Sequence, residues 1–207
     1  ISIPWFNADG WVANYHNELN KLPLIVATSN WVKKTYIRDG LDGKNIQVCP
    51  IGFDPEFFYP WKENDSRRKK LREMLGVEDD EVLIFTAGGD ATSKGAQEMF
   101  NALAKIDNQF PRWKYVLKVW DSFSAENHGR EEEQLIEKLK LDRNKIQYLT
   151  GKFSPEFMAA LLNACDIYAA PSRLEGFGMI QVEAQACGKP VISINVGGPV
   201  DTIVHEK

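Results

Sequence analysis

The sequence predicts an α/β fold in which helices cover both faces of a doubly wound parallel sheet. The first indication is that, from residue 82 onward, short apolar runs alternate with longer segments whose apolar residues recur every three or four positions. The second is that strands separated by helices pair in parallel through right-handed crossovers. The composition, 43% hydrophobic and 26% charged, is ordinary for a globular protein. Together these observations indicate a Rossmann-like sheet.

The alternating region supplies the elements of this sheet. The predicted strands are residues 82–87, 115–119, 146–149, 167–170 and 191–194, and the predicted helices are residues 95–106, 129–141, 154–165 and 178–187. Ser154 followed by Pro155 is typical of a helix start, because serine caps the first turn and proline suits its backbone. Gly188 followed by Pro190 is typical of a helix end.

The region before residue 82 has a different pattern. Its predicted elements are a strand and a helix within residues 22–40, a strand at 46–50 and a short basic helix at 66–77. The helix within the first of these ranges would be capped by Ser29 or Asn30. Residues 51–65 contain prolines and no sustained period, so they read as a connection between units. No internal repeat is visible.

Composition limits the function classes. The net charge of −4 does not support a nucleic-acid partner, which usually requires a basic excess. The three cysteines are too few and too scattered for a disulfide framework. No apolar run reaches the roughly 18 residues of a membrane span, and no secretory signal is visible, so a cytoplasmic location is expected. The chain starts at Ile1 and ends at Lys207 without a helix stop, which suggests a piece of a longer protein.

The loop TAGGDATSKG, residues 86–95, is a candidate anion site. Gly88 and Gly89 allow the backbone to approach a ligand, and the helix that follows offers unpaired N–H groups and partial positive charge. Lys94 adds a full positive charge. The spacing matches neither the Walker P-loop nor G-x-G-x-x-G. A plain turn with a solvated lysine is the alternative interpretation.

The stretch EGFGMIQVE carries two glutamates, Glu175 before a helix and Glu183 in its second turn. Three interpretations stay open. Carboxylates near a helix N-terminus stabilise the helix by about 0.3–1 kcal/mol, a pair of carboxylates is typical of glycosidases, and carboxylates also accept hydrogen bonds from ribose or hexose hydroxyls. The parallel sheet favours the third, because it indicates a nucleotide or phosphate ligand.

A metal site is not predicted. The sequence has no D-x-D pair, no histidine cluster and no zinc-ligand spacing. Ser172 does not lie in the G-x-S-x-G pattern of a nucleophile elbow.

Several blocks of the chain resemble the retaining glycosyltransferases of family 4, in the order in which that family has them. They are residues 26–60, SKGAQEMFNALAKI (93–106), GKFSPEFMAALLNACDIYAAPS (151–172), the E-x7-E motif at 175–183, and VGGPVDTIV (196–204). The resemblance covers nearly the whole chain and implies a GT-B fold. It places residues 1–60 at the end of an N-terminal acceptor domain and its connection, and residues 61–207 in the Rossmann-like domain that binds a nucleotide sugar.

The resemblance also implies roles for individual residues. Glu175 would act as a catalytic group that contacts the donor-sugar hydroxyls. Lys94 would act as a catalytic group that contacts the diphosphate and stabilises its negative charge. Glu183 would take the ribose hydroxyls. The other donor-binding residues would be Gly88, Gly89, Phe153, Arg173, Gly176, Phe177 and Gly178. Among these, residues 176–178 would line the sugar and diphosphate, and Phe153 would lie near the base.

One departure from the family concerns the phosphate charge. The family usually places an arginine five residues before the lysine, and Gly89 occupies that position here. The charge would then rest on Lys94, helix N-termini and backbone amides, with Arg173 as a candidate substitute. A charged hydrogen-bond donor that is lost without replacement costs about 1.5–3 kcal/mol.

The resemblance implies an enzyme of carbohydrate biosynthesis, a retaining hexosyltransferase that needs no metal or other cofactor. Its donor would be a UDP-, GDP- or ADP-linked sugar and its acceptor a sugar or a glycolipid. The absent N-terminal domain would act in cis and could associate peripherally with a membrane, so the chain alone is expected to be inactive. The alternative is a non-catalytic nucleotide- or anion-binding module.

Overall fold

The structure is a computed structural model that describes residue 3 and residues 5–6, 15–88, 94–119 and 128–205. The chain forms two compact units. The first comprises Ile1–Phe53, Leu174–Val182 and Ile194–Lys207, and the second comprises Asp54–Arg173 and Glu183–Ser193. The predicted boundary at residue 60 concerns the domains of a longer protein and stays a prediction.

Strands and helices alternate along the described residues. The strands are β1 (Trp5–Phe6), β2 (Ile25–Ala27), β3 (Ile46–Val48), β4 (Val82–Ala87), β5 (Trp113–Val119), β6 (Ile146–Thr150), β7 (Ile167–Ala170) and β8 (Val191–Ser193). The α-helices are α1 (His16–Leu19), α2 (Asn30–Arg38), α3 (Ser66–Met74), α4 (Ala96–Ile106), α5 (His128–Leu139), α6 (Pro155–Ala164), α7 (Met179–Ala186) and α8 (Pro199–Thr202). Short 3-10 helices lie at Gly43–Asn45 and Arg143–Lys145. Among these helices none has the length and apolar character that a membrane span requires.

The first unit contains a small parallel sheet with the order β1-β2-β3. Side chains from β2, α2, the segment after α2 and β3 form its core, namely Ile25, Ala27, Val32, Tyr36, Leu41 and Ile46. The Ser29 hydroxyl accepts the hydrogen bond of the Val32 N–H and caps α2 at 3.0 Å. The strand, the capped helix and the second strand predicted for this region are confirmed.

The second unit is built on a five-stranded sheet with the order β6-β5-β4-β7-β8, in which all neighbours are parallel. The predicted strands are confirmed to within two residues at each end. Ser154 caps α6 with Pro155 in its first turn, and Gly188, at a φ of +73°, follows the end of α7. The predicted α/β class is therefore confirmed.

Side chains on the two faces of this sheet enter different cores, because successive residues of a strand point to opposite faces. Ile84 faces α4 and α5, where the core consists chiefly of Phe100, Leu103, Trp113, Tyr115, Leu117 and Ile136. Phe85 points the other way, and its ring meets Tyr168 edge-on with 6.0 Å between centroids. Cys165 and Cys187 are buried free thiols.

The strand order reverses between β4 and β7. The chain adds β5 and β6 on one side of β4, then returns to place β7 and β8 on the other side. In open parallel sheets, ligands bind at the carboxyl ends of the strands where the order reverses. The segments that leave β4 and β7 at this point are residues 88–95 and 171–173, and both hold residues that the sequence predicted to bind a ligand.

The two units share a short motif that inspection of the sequence for repeats missed. Leu41 and Asp42 precede the first 3-10 helix and β3, and Leu141 and Asp142 precede the second 3-10 helix and β6. Each aspartate carboxylate accepts a hydrogen bond from the backbone N–H two residues later, at 3.0 and 2.9 Å. The same capped turn therefore begins a strand in each unit.

Asp166, the residue before β7, holds three elements of the second unit together. Its carboxylate accepts hydrogen bonds from the Leu83 N–H (2.8 Å) and from the guanidinium groups of Arg68 (2.5 Å) and Arg72 (2.8 Å). Its own N–H donates to the Leu83 carbonyl at 2.8 Å. Arg72 is buried and also donates to backbone carbonyl oxygens, those of Ala164, Glu78 and Glu81. One carboxylate thus joins α3, β4 and β7.

Replacing Asp166 with asparagine should destabilise the chain. Asn keeps the shape but removes the charge that compensates the buried Arg72 guanidinium, so urea unfolding should show a loss of about 2–3 kcal/mol. Asp80→Asn is the matched control, because it breaks an exposed ion pair with Arg112 and should leave the unfolding midpoint nearly unchanged. Equal effects of the two substitutions would contradict this role for Asp166.

Candidate functional site

In the second unit, residues of β4, β5 and the start of α4 line a small open pocket. Lys94 and Gly88 both line it, together with Thr86, Ala96, Leu117, Lys118 and Val119. A side chain at Gly88 would place its Cβ 2.5 Å from the Lys94 Cγ, so the lysine side chain lies directly against the glycine backbone. The structure therefore brings these two predicted residues together. Gly89, the third predicted residue of this loop, lies outside the described residues.

The turn that carries Lys94 lies against the segment that leaves β7. Gly95 begins α4 with a φ of +77°, and a Cβ at this position would lie 2.0 Å from the Pro171 carbonyl oxygen. Only glycine meets both the left-handed backbone and the close approach. The segments after β4 and β7 are thus in direct contact at the point where the strand order reverses.

A buried hydrogen-bond chain supports the floor of the pocket. The Tyr115 hydroxyl donates to Thr86 Oγ1 at 2.9 Å, and Thr86 Oγ1 donates to the Ala169 carbonyl at 2.7 Å. Thr86 therefore links β5, β4 and β7 just below Gly88. Burial raises the pKa of Tyr115 above its usual range, so its hydroxyl stays protonated as a donor.

Lys118 is a second cation beside the pocket, and the sequence analysis missed it. It lines the pocket with Lys94, and its Nζ lies 5.9 Å from the centre of the Phe153 ring. Phe153 in turn meets Phe157 edge-on at 4.9 Å. Phe153, predicted to lie near the base, is therefore connected to the pocket through Lys118. The sequence does not mark Lys118 as a site residue, because a lysine within a strand is common. Lys118 lies beside the pocket only because β5 pairs with β4.

Arg173 lies on the segment that leaves β7, and its guanidinium group contacts α4. Its Nε donates to Glu98 Oε1 at 2.7 Å, and both side chains are about half exposed. The arginine predicted to substitute for a charge at position 89 is therefore oriented by a carboxylate of the helix that follows Lys94. An exposed pair of this kind contributes little to stability.

Glu183 lies in α7 and is more than half buried. Burial raises the pKa of its carboxyl to about 7, because an apolar environment disfavours the charged form. Near neutral pH the group is therefore divided between carboxylate and carboxylic acid. Perturbed carboxyl groups of this kind are characteristic of functional sites, although structural groups show them too.

In the first unit, the loop that holds Glu175, Gly176, Phe177 and Gly178 is fixed through its backbone. The Gly198 N–H donates to the Glu175 carbonyl at 2.8 Å, and the Ser29 hydroxyl donates to the Gly176 carbonyl at 2.8 Å. The Phe177 ring is buried. The backbone of Glu175 and Gly176 is therefore held by hydrogen bonds in the loop before α7, and the Phe177 side chain is anchored by burial.

Two glycines allow this support. Gly197 has a φ of +80°, and a Cβ there would lie 2.5 Å from the Glu175 carbonyl oxygen. A Cβ at Gly198 would lie 2.0 Å from the Gly176 carbonyl oxygen. No role is predicted for these residues from the sequence, although two adjacent glycines indicate a close backbone approach.

The chain belongs to the family described as glycosyl transferases group 1, which matches residues 67–207. The resemblance based on the sequence blocks is therefore confirmed at the level of the family.

Among the described residues, no group of three or more His, Cys, Asp or Glu side chains could hold a metal ion.

Curated relatives agree with this membership. The D-inositol 3-phosphate glycosyltransferase of Stackebrandtia nassauensis is 30% identical over 161 residues, which are 76% of this chain and 35% of that protein. The mannosylfructose-phosphate synthase of Agrobacterium fabrum is 28% identical over 182 residues, 84% of this chain and 38% of that protein. The chain thus spans well under half the length of these relatives.

Solved structures show the same fold. Anabaena Alr3699/HepE in complex with UDP-glucose matches with a TM-score of 0.80 and 28% identity, covering 92% of this chain and 50% of that one. A glycosyltransferase of Rickettsia africae matches with a TM-score of 0.83 and 26% identity, covering 98% and 54%. These matches confirm a Rossmann-like sheet of the GT-B type.

Gly95→Ala should disrupt the Lys94 turn. The substitution strains a left-handed backbone, and its Cβ also overlaps the Pro171 carbonyl, so we expect a loss of about 2–5 kcal/mol in urea unfolding. Gly76→Ala is the control, because Gly76 has a φ of +64° but only an ordinary contact at 3.6 Å, and it should lose about 1–2 kcal/mol. If both variants lose the same amount, the contact with Pro171 is not tight.

Glu183→Gln should stabilise the unliganded chain at pH 8 but not at pH 5. A carboxyl with a raised pKa loses folding free energy as pH rises from about 4.5 to about 7, and the loss then stays constant. Gln removes it, with a gain of about 1–2 kcal/mol after allowing for solvent screening. Urea unfolding at the two pH values measures this difference. Glu156→Gln is the control: hydrogen bonding keeps the pKa of Glu156 low, so that variant should gain nothing at pH 8.

Proposed function

We propose that this chain is the donor-binding part of a retaining glycosyltransferase that uses a nucleoside-diphosphate sugar. The observation that carries the proposal is the match to Anabaena Alr3699/HepE, whose structures hold UDP-glucose, UDP with glucose, and UDP. Those matches cover 92–98% of this chain with 25–28% identity. We therefore propose a UDP-linked hexose as the donor, ahead of GDP- and ADP-linked sugars.

In the second unit, the proposed ligand is the nucleotide. Lys94 would contact the diphosphate beside Gly88 and the N-terminus of α4, with Lys118 as a further positive charge at the pocket. Arg173, oriented by Glu98, would add a donor near the same turn. Glu183 would accept hydrogen bonds from the ribose hydroxyls, and Phe153 would lie near the base. The role of Gly89 stays a prediction from the sequence.

In the first unit, the proposed ligand is the sugar end of the donor. The Glu175 carboxylate would accept hydrogen bonds from hexose hydroxyls. The backbone of Gly176, Phe177 and Gly178 would line the sugar and the diphosphate. The fixed carbonyl groups of this loop support the proposal, because a preorganised backbone loses little freedom when it binds.

The proposed reaction breaks the bond between the anomeric carbon and the diphosphate oxygen. The electron pair of that bond leaves with the diphosphate, and Lys94 and oriented N–H groups would stabilise the developing negative charge. The anomeric carbon passes through an oxocarbenium-like state. The acceptor hydroxyl attacks from the face that the diphosphate leaves, which retains the configuration, and its proton passes to the departing phosphate. This route needs no cofactor.

The acceptor, a sugar or a glycolipid, would be bound by the N-terminal domain of the whole protein. The share of the relatives that this chain covers, 35% and 38% for the two enzymes named above, is consistent with that division. A peripheral membrane association would arise through the same domain. Both statements are proposals about the whole protein.

Nucleotide binding to this chain is the first test. UDP should raise the melting temperature in a thermal-shift experiment, because a ligand stabilises the state that it binds. Glu183→Ala should abolish most of the shift while Glu156→Ala leaves it unchanged. The wild-type shift should also grow between pH 6 and pH 8, since the ribose would bind the carboxylate form of Glu183. A full shift in Glu183→Ala would show that the assignment of Glu183 to the ribose is wrong.

Activity of the whole protein is the second test. The full-length enzyme would be offered UDP-, GDP- and ADP-sugars, and release of the nucleotide would be measured. NMR of the anomeric proton would then give the configuration of the product. Release of UDP with a retained configuration supports the proposal. Nucleotide binding without any transfer or release would instead identify a non-catalytic binding module.

A further inference from the structure

Ser29 uses its hydroxyl both to accept a hydrogen bond and to donate one. The oxygen accepts the Val32 N–H at 3.0 Å, while the hydroxyl donates to the Gly176 carbonyl at 2.8 Å, 147 positions away in the sequence. Ser29 is 1% exposed, whereas the capping residues Asp42, Asp142 and Ser154 are exposed. Capping α2 uses only the oxygen of Ser29 as an acceptor, so the buried hydroxyl proton is left to bond a second partner, and that partner is the Gly176 carbonyl.

The Gly176 carbonyl is one of two consecutive carbonyl groups that the first unit holds. The other is that of Glu175, which accepts the Gly198 N–H at 2.8 Å. The backbone of Gly197 and Gly198 lies so close to this loop that neither position has room for a Cβ. Two donors and a tight backbone contact therefore fix two adjacent peptide groups of the loop.

Fixing these carbonyl groups also fixes two N–H groups. In a planar trans peptide the C=O and the N–H point in opposite directions. The Gly176 N–H must therefore point away from Gly198, and the Phe177 N–H must point away from Ser29. The buried Phe177 side chain, 3% exposed, prevents the loop from rotating as a whole.

We infer that Ser29 is a positioning residue that aims the Phe177 N–H at the diphosphate oxygens of the donor, while the Gly198 N–H holds the preceding peptide group in place. This inference rests on the proposed function, because it assumes that the loop meets a nucleoside diphosphate. Oriented N–H groups are strong partners for phosphate oxygens, since a charged acceptor roughly doubles the strength of a hydrogen bond. Preorganised groups also need no rearrangement when charge develops on the leaving group.

A second contact reinforces this arrangement within the first unit. The carboxylate of Asp201, on α8, accepts the Asn30 N–H at 2.5 Å. The start of α2 is thus capped by Ser29 from its own chain segment and by Asp201 from the segment that carries Gly198. The two supports of the loop are therefore connected to each other, and loss of either should loosen both.

The experiment compares UDP with uridine in isothermal titration calorimetry on this chain. Uridine shares the base and the ribose but lacks the diphosphate, so the affinity ratio isolates the phosphate contribution. Ser29→Ala should lower the ratio of the UDP affinity to the uridine affinity roughly tenfold, which corresponds to one misaligned hydrogen bond to a charged group. A loss of folded protein would weaken both ligands equally and leave the ratio unchanged.

Two controls separate positioning from capping. Ser29→Thr keeps a hydroxyl that can both donate and accept, so it should restore the ratio to within about threefold of the wild type. Asp42→Ala removes a capping carboxylate of the same unit without touching the loop, so it should leave the ratio unchanged. A wild-type ratio in Ser29→Ala would overturn the inference and reduce Ser29 to a helix cap.

Asp201→Ala keeps the inference testable if Ser29→Ala does not fold, because Asp201 is exposed. We expect a smaller fall of the ratio, roughly threefold, since the support is indirect. No change in this variant would count against the inference. If the wild type binds uridine and UDP equally well, the loop meets no diphosphate, and both the inference and the proposed donor are wrong. If only the variants show an unchanged ratio, the inference about Ser29 is wrong and the donor proposal stands.

Discussion

The pairing of β4 with β7 is the constraint on which the rest of the second unit depends. Asp166 bonds the backbone of Leu83 through both its N–H and its carboxylate, so the two strands start in a fixed register, with Ile84 opposite Ile167. Higher up, Thr86 bonds the Ala169 carbonyl. These two links set how the strands end, and the strand ends set where Lys94 and Arg173 lie. A partly buried ionic cluster at the amino ends of these strands thus helps to position Lys94 and Arg173 beyond their carboxyl ends.

Much of the fold could be predicted from the sequence, because its signals are local. The apolar runs, the Ser154 cap and the Gly188 end act within a few residues, and each structure element follows from them. The two glutamates and Lys94 could also be found, since glycine-rich loops at strand ends stand out. Lys118 and Ser29 could not, because their roles depend on partners that pairing and packing bring from distant parts of the chain. The capped turn that begins with Leu41 and Asp42, and again with Leu141 and Asp142, could not be recognised as a repeat because it is only a few residues long.

In the proposed function, backbone N–H groups would carry part of the phosphate charge, because no arginine stands at position 89. The positive charges near the pocket of the second unit are Lys94, Lys118 and the Arg173 guanidinium that Glu98 orients. Gly95 in that unit, and Gly197 and Gly198 in the first unit, lie at close backbone contacts that leave no room for a side chain. The Glu183 carboxyl lowers the stability of the folded chain at neutral pH, because burial disfavours its charged form.

The strand order also has a consequence during synthesis of the chain. β5 and β6 can join β4 in the order in which they leave the ribosome, but the other edge of β4 has no partner until residues 167–170 exist. That edge belongs to the strand VLIFTA, whose residues after the first are all buried in the finished unit. For about eighty residues of elongation the nascent chain therefore exposes an apolar, unpaired edge, the feature that most readily recruits another chain into aggregates. The insertion of β7, fastened by Asp166, is the step that ends this exposure.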